Sequence, residues 1–525
     1  MPRRLLICLA FATWCFLDTW VEYAEGGMAY FARRDPMRAV AIPVVCLEIT
    51  LSLGMWGLWE FCRRRGLGRA LPPHYLFLAL CCVPLGIASV AALRALPFNL
   101  TAVIRTPLFW PCVLIAALAP LGLVCARPRA ASRLVRGMLL YSWPVLLFVL
   151  VQAARETLLA YPRSAYADGP LAAGFDSPPA PRRVVWIIFD ELSQPIAFGN
   201  RPAGLALPNF DRLRSGGFYA SSAQSPADST EISMPSLILG ERVIEASPQG
   251  PGDLRVRTGS STQPLAFGSL PNVFDDARAL GLNTALVGWF HPYGRLLSHS
   301  LEKCYWTADW LRAGVEERSN PQALVHAMWD RTRLQFAALP LAGHLPGVFP
   351  GAYQRQEKIA QFRWLCDRAV ETVSDPAIGL ALIHLPVPHP PAIYSRARGT
   401  LTAQGRIGYL DSVVLADRTL GALRQAMEQA GLWDRTAVLV SADHGWRTHL
   451  WRGDAEWTQD EEAAAHQDTS GVPFLLKLPE QASGMVYSKP FNTIVTRQLI
   501  TGILSGRLPD PSEVPGFVER LAQGR

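Results

Sequence analysis

Hydrophobic residues are concentrated in the first third of the chain, in long and nearly uninterrupted segments. Each segment has about the ~20 residues that an α-helix needs to cross a bilayer, and the five are 5–23, 40–61, 75–96, 107–125 and 137–157. A stretch rich in Pro, Ala and Gly follows over 161–182 and is typical of a linker. This pattern predicts a five-helix transmembrane domain over 1–160 and a second domain over 183–525.

Arginines are distributed unequally between the two sets of loops that join the apolar segments. Those on the side of the N-terminus are Arg3, Arg4, Arg63, Arg64, Arg65, Arg69, Arg127, Arg129, Arg133 and Arg136. Those on the opposite side are Arg33, Arg34, Arg38 and Arg105. Because cytoplasmic loops carry the excess of basic residues, we expect the N-terminus in the cytoplasm. Five crossings then place the second domain on the extracytoplasmic side. Glu48, within the second segment, is either functional or hydrogen-bonded inside the bundle.

Short apolar runs alternate with helical patterns in the second domain. The predicted strands are 183–189, 284–287, 378–385, 437–440 and 473–478. The predicted helices are 210–215, one that begins at Pro235, 273–280 and 408–430. Such alternation is typical of an α/β layered fold with a mainly parallel sheet flanked by helices. The run 183–189 is apolar throughout, which favours a strand that is buried on both faces.

The composition agrees with a membrane protein that carries a folded domain. Hydrophobic residues make up 50% and charged residues 18%, and the mean hydropathy is +0.15, so the chain is more apolar than a typical soluble enzyme. The net charge of +7 is modest and lies largely in short loops, so we expect no nucleic-acid binding. Two of the cysteines, Cys304 and Cys366, fall in the second domain, and the sequence leaves open whether they pair.

Ligand-type residues follow two of the predicted strands. Asp190 and Glu191 come directly after the first strand, and Asp443 and His444 follow the strand 437–440. Open α/β sheets place their ligand sites at the carboxyl ends of strands, and buried acids are costly without a cation nearby. Carboxylates together with imidazole suit zinc or manganese better than calcium. These two strand ends therefore predict a site for one divalent metal ion.

A hydroxyl group at a helix start is the second candidate feature. A polar loop that begins at Gln224 opens onto an apolar helix, and Ser229 and Thr230 lie at the entry to this helix. There the positive end of the helix dipole favours an alkoxide and an incoming anion. Helix capping is the common alternative for Ser or Thr at such a position. The two roles are compatible, so Thr230 remains a candidate nucleophile.

Seven short blocks of the second domain form a series, at 184–191, 207–213, 224–240, 281–291, 387–391, 409–417 and 441–445. In that order they resemble the alkaline phosphatase superfamily in its sulfatase-like branch. With apolar helices in front, the chain looks like the membrane phosphoethanolamine and phosphoglycerol transferases, such as lipid A modifying enzymes and lipoteichoic acid synthase. The resemblance implies a multi-pass protein of the bacterial inner membrane, with its sulfatase-like α/β domain on the periplasmic side.

The resemblance also implies roles for individual residues. The metal ligands that it implies are Asp190, Glu191, Thr230, Asp443 and His444. Thr230 matches the nucleophile of the transferases, because Thr-Glu-Ile-Ser-Met-Pro resembles their Thr-x-x-Ser-x-Pro. His389, and with it His291, is expected to contact the transferred group as a catalytic residue. The reserve candidates, which are more often structural, are His384, His449 and His466.

The chain departs from the family pattern in three places, one of which is Trp289, where the sulfatases have a lysine. Sulfatases carry Cys-x-Pro-x-Arg, whereas the nearest match here begins at Ser233 and lacks the arginine. Ser236 stands where the phosphoethanolamine transferases have a cysteine. The sequence therefore predicts a metal-dependent enzyme that transfers or hydrolyses a phosphate-ester group, of phosphoethanolamine or phosphoglycerol type, on an envelope lipid or glycan. The alternatives are a sulfuric or phosphoric ester hydrolase of the same fold and a non-catalytic envelope protein.

Overall fold

The computed structural model describes most of the chain. The described residues are 2–24, 27–31, 41–65, 126–158, 163–175, 180–308, 328, 332, 350–452, 457–466, 469–481, 483–508 and 510–523. They divide into two compact units. The first unit comprises Met1–Met28, Arg34–Ala160 and Gly314–Pro350, and the second comprises Ala29–Arg33, Tyr161–Ala313 and Gly351–Arg525. The predicted apolar segments 75–96 and 107–125 lie outside the described residues.

The N-terminal part of the chain is helical. Its helices are α1 Pro2–Cys15, α2 Leu17–Ala24, α3 Gly27–Phe31, α4 Ile42–Arg64, α5 Pro128–Tyr141 and α6 Trp143–Leu158. Within the described residues two helical stretches, Ile42–Arg64 and Pro128–Arg155, are long and apolar enough to cross a membrane. The first predicted segment forms two helices, α1 and α2, that are interrupted at Phe16. Five membrane spans therefore remain a prediction.

Two details of the first unit bear on the sequence predictions. The last apolar helical stretch begins at Pro128 rather than at 137. The arginines near its start are spaced along the helix, and one of them packs on an aromatic ring: Arg136 Cζ lies 5.0 Å from the ring centre of Trp59. Glu48 is buried and its Oε1 accepts a hydrogen bond of 2.7 Å from Trp20 Nε1. Of the two interpretations of Glu48, the structure therefore contains the hydrogen bond inside the bundle.

Short and long strands both occur in the second unit. They are β1 Arg183–Phe189, β2 Phe218–Ala220, β3 Ala223–Gln224, β4 Val243–Gly250, β5 Asp253–Thr258, β6 Leu265–Ala266, β7 Asn283–Trp289, β8 Lys303–Thr307, β9 Ile378–Leu385, β10 Tyr394–Ser395, β11 Thr400–Leu401, β12 Thr436–Ser441, β13 Phe474–Lys477, β14 Met485–Tyr487 and β15 Phe491–Asn492. The predicted strands correspond to β1, β7, β9, β12 and β13, with bounds that agree to within two residues. The predicted strands are confirmed.

The central sheet has eight strands in the order β14-β2-β13-β12-β1-β9-β7-β8. Strands β12, β1, β9, β7 and β8 run parallel to one another, and β13 is antiparallel to both β12 and β2. Every residue of β1, β7, β9 and β12 is buried, as expected of strands that are covered on both faces. The mainly parallel α/β sheet is confirmed.

Helices flank this sheet. They are α7 Pro208–Gly216, α8 Thr230–Leu239, α9 Val273–Ala279, α10 Tyr293–Leu296, α11 Pro350–Val373, α12 Tyr409–Gln429, α13 Thr448–Trp451, α14 Gln459–Ala464, α15 Thr496–Leu504 and α16 Val514–Gln523. The predicted helices 210–215, 273–280 and 408–430 are confirmed as α7, α9 and α12. The predicted start at Pro235 was wrong: α8 begins at Thr230 and Pro235 lies inside it, although proline usually marks the first turn.

A buried arginine holds the start of β1 against the end of α11 and the start of β9. Arg183 is almost inaccessible to solvent, and its guanidinium donates to Ile378 O at 3.0 Å, Val373 O at 2.6 Å and Thr372 O at 3.4 Å. We expect Arg183→Met to lower the free energy of unfolding by about 2–4 kcal/mol, because buried carbonyl groups lose a charged donor. Thermal and urea unfolding of the full-length protein measure this. The exposed neighbour Arg182, changed to Met, is the control, and equal losses in both variants would refute the structural role.

Candidate active site

The site lies at the carboxyl ends of four neighbouring strands. Strands β12 and β1 are in register, with Ile188 opposite Ser441, and the other side of Ile188 faces His384 on β9. Strand β7 adjoins β9. Polar residues that end or follow these strands therefore meet at one edge of the sheet. They are Asp443 and His444 after β12, Asp190 and Glu191 after β1, His384 and His389 at β9, and Trp289 and His291 at β7.

Four of the predicted site residues meet around one hydroxyl group. Thr230, the first residue of α8, places its Oγ1 2.7 Å from Asp443 Oδ2, 3.3 Å from Asp190 Oδ2 and 3.4 Å from His444 Nε2. His444 Nε2 lies 3.5 Å from Asp190 Oδ1 and 3.4 Å from Asp443 Oδ2. All four side chains are buried. The structure therefore brings together Asp190, Thr230, Asp443 and His444 in a single pocket.

Backbone groups orient Asp443 toward the hydroxyl. The backbone N–H groups of Glu191 and His444 donate to Asp443 Oδ1 at 3.1 and 2.9 Å. This leaves Oδ2 facing Thr230. A carboxylate that is held on one oxygen presents the other in a fixed direction, as metal ligands do.

His444 is oriented by its own turn. Its Nδ1 lies 3.0 Å from Gly445 O, and since a carbonyl only accepts, Nδ1 carries the proton and Nε2 presents a lone pair to the cluster. Burial lowers the pKa of His444, but the carboxylates of Asp443 and Asp190 raise it further, and the net shift is upward. The contact to Gly445 O therefore selects the tautomer that leaves Nε2 for a metal, and without a cation the two carboxylates favour a proton on Nε2.

A cation fits this arrangement. The nearest ligand atoms of Asp190, Asp443 and His444 lie within 4.8 Å of one another. Among the described residues, Asp190 Oδ1 is buried and accepts no hydrogen bond. Burial raises the pKa of Asp190, but the neighbouring His389, His384 and His444 lower it more, so the carboxyl is held ionised. Two buried carboxylates and an orphaned oxygen are costly unless a cation compensates them, so the donor set suits a divalent ion.

Glu191 lies beside this cluster and its carboxylate is directed elsewhere. Its Oε1 accepts from the backbone N–H of Arg447 at 2.8 Å and from Trp451 Nε1 at 3.1 Å, and Arg447 Nη2 lies 3.4 Å from Oε2. Burial raises its pKa to about 7 against the opposing charge of Arg447. Its φ of +69° is uncommon for a residue with a side chain, and such backbone strain clusters at functional sites. Ligand atoms of Asp190, Glu191 and His389 also lie within 4.8 Å of one another, so its predicted role as a ligand stays a prediction.

His389 lies at the partly exposed side of the site. Its backbone N–H donates to Asp190 O at 3.1 Å, its Nδ1 lies 2.8 Å from Pro390 O, and its ring packs edge-on against Trp289 with centroids 5.0 Å apart. Burial lowers its pKa to about 3, in spite of the nearby Asp190. Because Pro390 O only accepts, Nδ1 carries the proton and Nε2 is left as an acceptor.

His291 contacts the nucleophile residue through the backbone. It is buried, its Nε2 lies 3.2 Å from Thr230 O, and its Nδ1 lies 2.7 Å from the hydroxyl of Tyr30. Burial lowers the pKa of His291 to about 3. The structure therefore places His291 at the backbone carbonyl of Thr230. Its contact with the transferred group stays a prediction.

Two residues at the site were missed or ranked low by the sequence reasoning. Trp289 Nε1 donates to Asp190 Oδ2 at 2.9 Å. His384, predicted only as a reserve, is fully buried with its Nε2 3.7 Å from Asp190 Oδ2, while its Nδ1 lies 3.2 Å from Tyr293 Oη. The signal for both was their position at the ends of β7 and β9. The other reserves, His449 and His466, are exposed.

Cys304 and Cys366 do not form a disulfide. Cys366 is a free thiol, and burial raises its pKa to about 12. The pairing that the sequence left open is therefore absent.

No protein-family model and no curated protein matches the chain. It is similar to the solved structure of a phosphonate monoester hydrolase of Agrobacterium radiobacter, at 16% identity over 62% of this chain and 74% of that chain, with a TM-score of 0.38. A sulfatase from Pseudoalteromonas sp. matches at 14% identity over 62% and 67%, with a TM-score of 0.40. A protein in the alkaline phosphatase superfamily from Vibrio parahaemolyticus matches at 13% identity over 64% and 69%, with a TM-score of 0.36. The predicted resemblance to that superfamily is confirmed as a similarity. It assigns no activity.

Proposed function

We propose that the chain is a metal-dependent enzyme that transfers a phosphate-ester group, of phosphoethanolamine or phosphoglycerol type, through Thr230. The observation that carries this proposal is the position of Thr230 Oγ1, against Asp443 Oδ2 at 2.7 Å and His444 Nε2 at 3.4 Å. A capping threonine accepts bonds from its own helix, whereas this hydroxyl faces carboxylates. The N-cap position of α8 is occupied by Ser229, so capping does not explain the position of Thr230.

Asp190, Asp443 and His444 would hold the divalent ion, with Thr230 Oγ1 beside them. When bound, the ion supplies positive charge that lowers the pKa of the hydroxyl and polarises the ester. Carboxylate and imidazole donors favour zinc or manganese over calcium. Glu191 shares the strand end of Asp190, and it would act as a ligand only through the second group of ligand atoms, which it forms with Asp190 and His389.

The proposed first step uses the chain's own groups in defined positions. Thr230 Oγ1 forms a bond to phosphorus while the bond from phosphorus to the leaving oxygen breaks. The leaving oxygen takes a proton from water and departs as the alcohol, which leaves a phosphothreonine ester. Asp443 Oδ2, at 2.7 Å, is placed to accept the hydroxyl proton. The start of α8 presents the positive end of its dipole to the negative charge on the transferred group. The ester is therefore attacked in a pocket that stabilises its charge.

The second step returns Thr230 to its starting state. An acceptor hydroxyl attacks the same phosphorus, the bond to Thr230 Oγ1 breaks, and Oγ1 recovers its proton from Asp443 Oδ2. His389 lies at the partly exposed side, and its Nε2 is the acceptor left free by the contact from Nδ1 to Pro390 O. It is therefore placed to accept a hydrogen bond from the incoming hydroxyl and orient it, while the proton of that hydroxyl passes to water.

Neighbouring hydroxyls are less suitable as nucleophiles. Ser233 Oγ donates to Ala227 O at 2.9 Å, and Ser236 Oγ donates to Ile232 O at 2.7 Å. Both hydroxyls therefore donate their proton to a backbone carbonyl close by in the sequence. This supports Thr230 and weighs against chemistry at the position that resembles the sulfatase motif.

The apolar helices suggest where the donor and the acceptor of the phosphate-ester group are found. Among the described residues, two helical stretches are apolar and long enough to cross a bilayer, and a lipid-linked ester would be presented at the surface of that bilayer. Holding catalyst and substrate together there reduces the entropy lost in bringing them together. We propose an envelope lipid or glycan as the substrate, and the periplasmic side of the bacterial inner membrane as the location. The alternative is hydrolysis of a sulfate or phosphate ester, in which water replaces the acceptor.

Intact-mass analysis of the full-length protein tests the nucleophile. The protein is incubated in vesicles that contain phosphatidylethanolamine or phosphatidylglycerol. We expect a mass increase equal to the phosphorylated head group in the unchanged protein and in Ser229→Ala, and none in Thr230→Ala. An adduct of equal size on Thr230→Ala would refute the assignment. Turnover of an aryl sulfate or aryl phosphate, with no lipid product, would favour the hydrolase alternative.

A further inference from the structure

A short piece of the N-terminal region belongs to the second unit. Residues Ala29–Arg33 are part of this unit, although the rest of the unit begins only at Tyr161. Tyr30 and Phe31 are buried in its hydrophobic core. Phe31 packs edge-on against Phe290 with ring centroids 5.2 Å apart, and Arg295 Nη2 donates to Tyr30 O at 2.9 Å. The segment is therefore anchored to the turn that follows β7.

Tyr30 reaches the nucleophile residue through one histidine. The hydroxyl of Tyr30 lies 2.7 Å from His291 Nδ1, and His291 Nε2 lies 3.2 Å from Thr230 O. Because Thr230 O only accepts, Nε2 must carry the proton, and Nδ1 then accepts from the hydroxyl of Tyr30. Both contacts therefore require the same tautomer of His291, with the proton on Nε2.

Both ring nitrogens of His291 are occupied, and the side chain is 1% exposed. It has no nitrogen left for a substrate atom, so it acts on the reaction through the backbone of Thr230. That carbonyl belongs to the first residue of α8, so a shift of this backbone group also displaces Oγ1 of the same residue. A displacement of a reacting group by about 1 Å costs about 10²-fold in rate, so such a contact is relevant to catalysis.

We propose that Tyr30 and His291 are positioning residues, which hold the Thr230 hydroxyl in its reactive position through the sequence Tyr30 Oη–His291–Thr230 O. The inference rests on the proposed function, since it takes Thr230 as the nucleophile. It means that the segment 29–31 completes the active site, so residues from Tyr161 onward do not contain the whole of it. It also gives His291 a role that differs from contact with the transferred group.

Removal of one oxygen atom tests the proposal. In the full-length protein, Tyr30→Phe keeps the ring and its packing but removes the donor to His291 Nδ1, so the imidazole loses the hydrogen bond that holds it on the side away from Thr230 O. We expect the single-turnover rate of adduct formation, and kcat, to fall about 10–100-fold, with KM and metal content unchanged within about twofold. The control is Tyr487→Phe, which removes a tyrosine hydroxyl from β14 at the edge of the sheet and is expected to leave the rate unchanged.

Substitution of His291 separates positioning from mere packing. Glutamine can accept from Tyr30 and donate to Thr230 O, whereas phenylalanine can do neither. We expect His291→Gln to react at least about tenfold faster than His291→Phe, and Tyr30→Phe to have no further effect in the His291→Phe background, since coupled residues are non-additive. Equal rates for the Gln and Phe variants, additive losses, or an unchanged rate in Tyr30→Phe would each overturn the proposal.

The outcome is distinguishable from a failure of the proposed function. If the unchanged protein forms no adduct on Thr230, the proposed function fails. If it forms the adduct and Tyr30→Phe forms it at the same rate, only the positioning role fails. Should Tyr30→Phe not fold, the comparison of His291→Gln with His291→Phe decides the question alone.

Discussion

Replacement of Thr230 by alanine is expected to lower the rate of the proposed transfer by about 10³-fold or more, because loss of a nucleophile removes the covalent route. The side chain is small and its hydroxyl makes no bond to its own helix, so the fold should persist. Thr230→Ser should retain measurable activity, since a primary hydroxyl can occupy the same position. Steady-state turnover of the lipid donor in vesicles measures both effects.

Ser229→Ala is the matched control for this prediction. Ser229 occupies the N-cap position of the same helix, but its side chain makes no capping hydrogen bond. Its loss should therefore change turnover by no more than a few-fold and leave the unfolding temperature nearly unchanged. Full activity in Thr230→Ala, or a larger loss in Ser229→Ala, would move the nucleophile away from Thr230.

Substitution at Asp443 is expected to have the second large effect. Asp443→Asn retains an oxygen for the two backbone N–H groups but replaces the anionic Oδ2 that faces Thr230. We expect the purified protein to lose bound metal and the transfer rate to fall about 10³-fold or more, since a metal contributes several kcal/mol to such transition states. Elemental analysis by mass spectrometry gives the metal content for comparison with the rate.

A pair of histidine variants provides the control for metal loss. His444→Ala removes the imidazole whose Nε2 faces both carboxylates, while His449→Ala removes an exposed imidazole of the neighbouring segment. Only the first should reduce metal content and activity. Retention of a full equivalent of metal in Asp443→Asn and His444→Ala would place the ion elsewhere.

Much of the site followed from local sequence. The apolar runs that became β1 and β12 are each followed by acids, and parallel strands with such runs bring their carboxyl ends to one edge. That reasoning alone predicts that Asp190, Asp443 and His444 lie close together, as the structure shows. Thr230 was found from the polar loop that opens onto α8. These features depend on short stretches whose pattern the fold does not override.

Contacts across long sequence separations were not predictable from pattern. Tyr30 lies between the first two predicted apolar segments, in what the pattern predicts only as a loop, and nothing local indicates that it meets His291. Trp289 ends an apolar strand and its indole N–H finds Asp190 only once the strands are ordered in the sheet. The antiparallel sheet β4-β5-β6 was missed because β4 contains Pro248 and has little regular alternation of burial.

The direction of Glu191 was also beyond the sequence. An acid next to Asp190 suggests a shared ligand role, but the left-handed backbone at Glu191 turns its carboxylate toward Arg447 and Trp451. Such a conformation depends on the surrounding packing, which no local pattern encodes.

Anomalous X-ray scattering from crystals of the full-length protein, recorded at the absorption edges of zinc and manganese, tests the central claim most directly. We expect a single strong peak within bonding distance of Asp190, Asp443, His444 Nε2 and Thr230 Oγ1. A peak bound at another place, with these four side chains in contact with water alone, would contradict it.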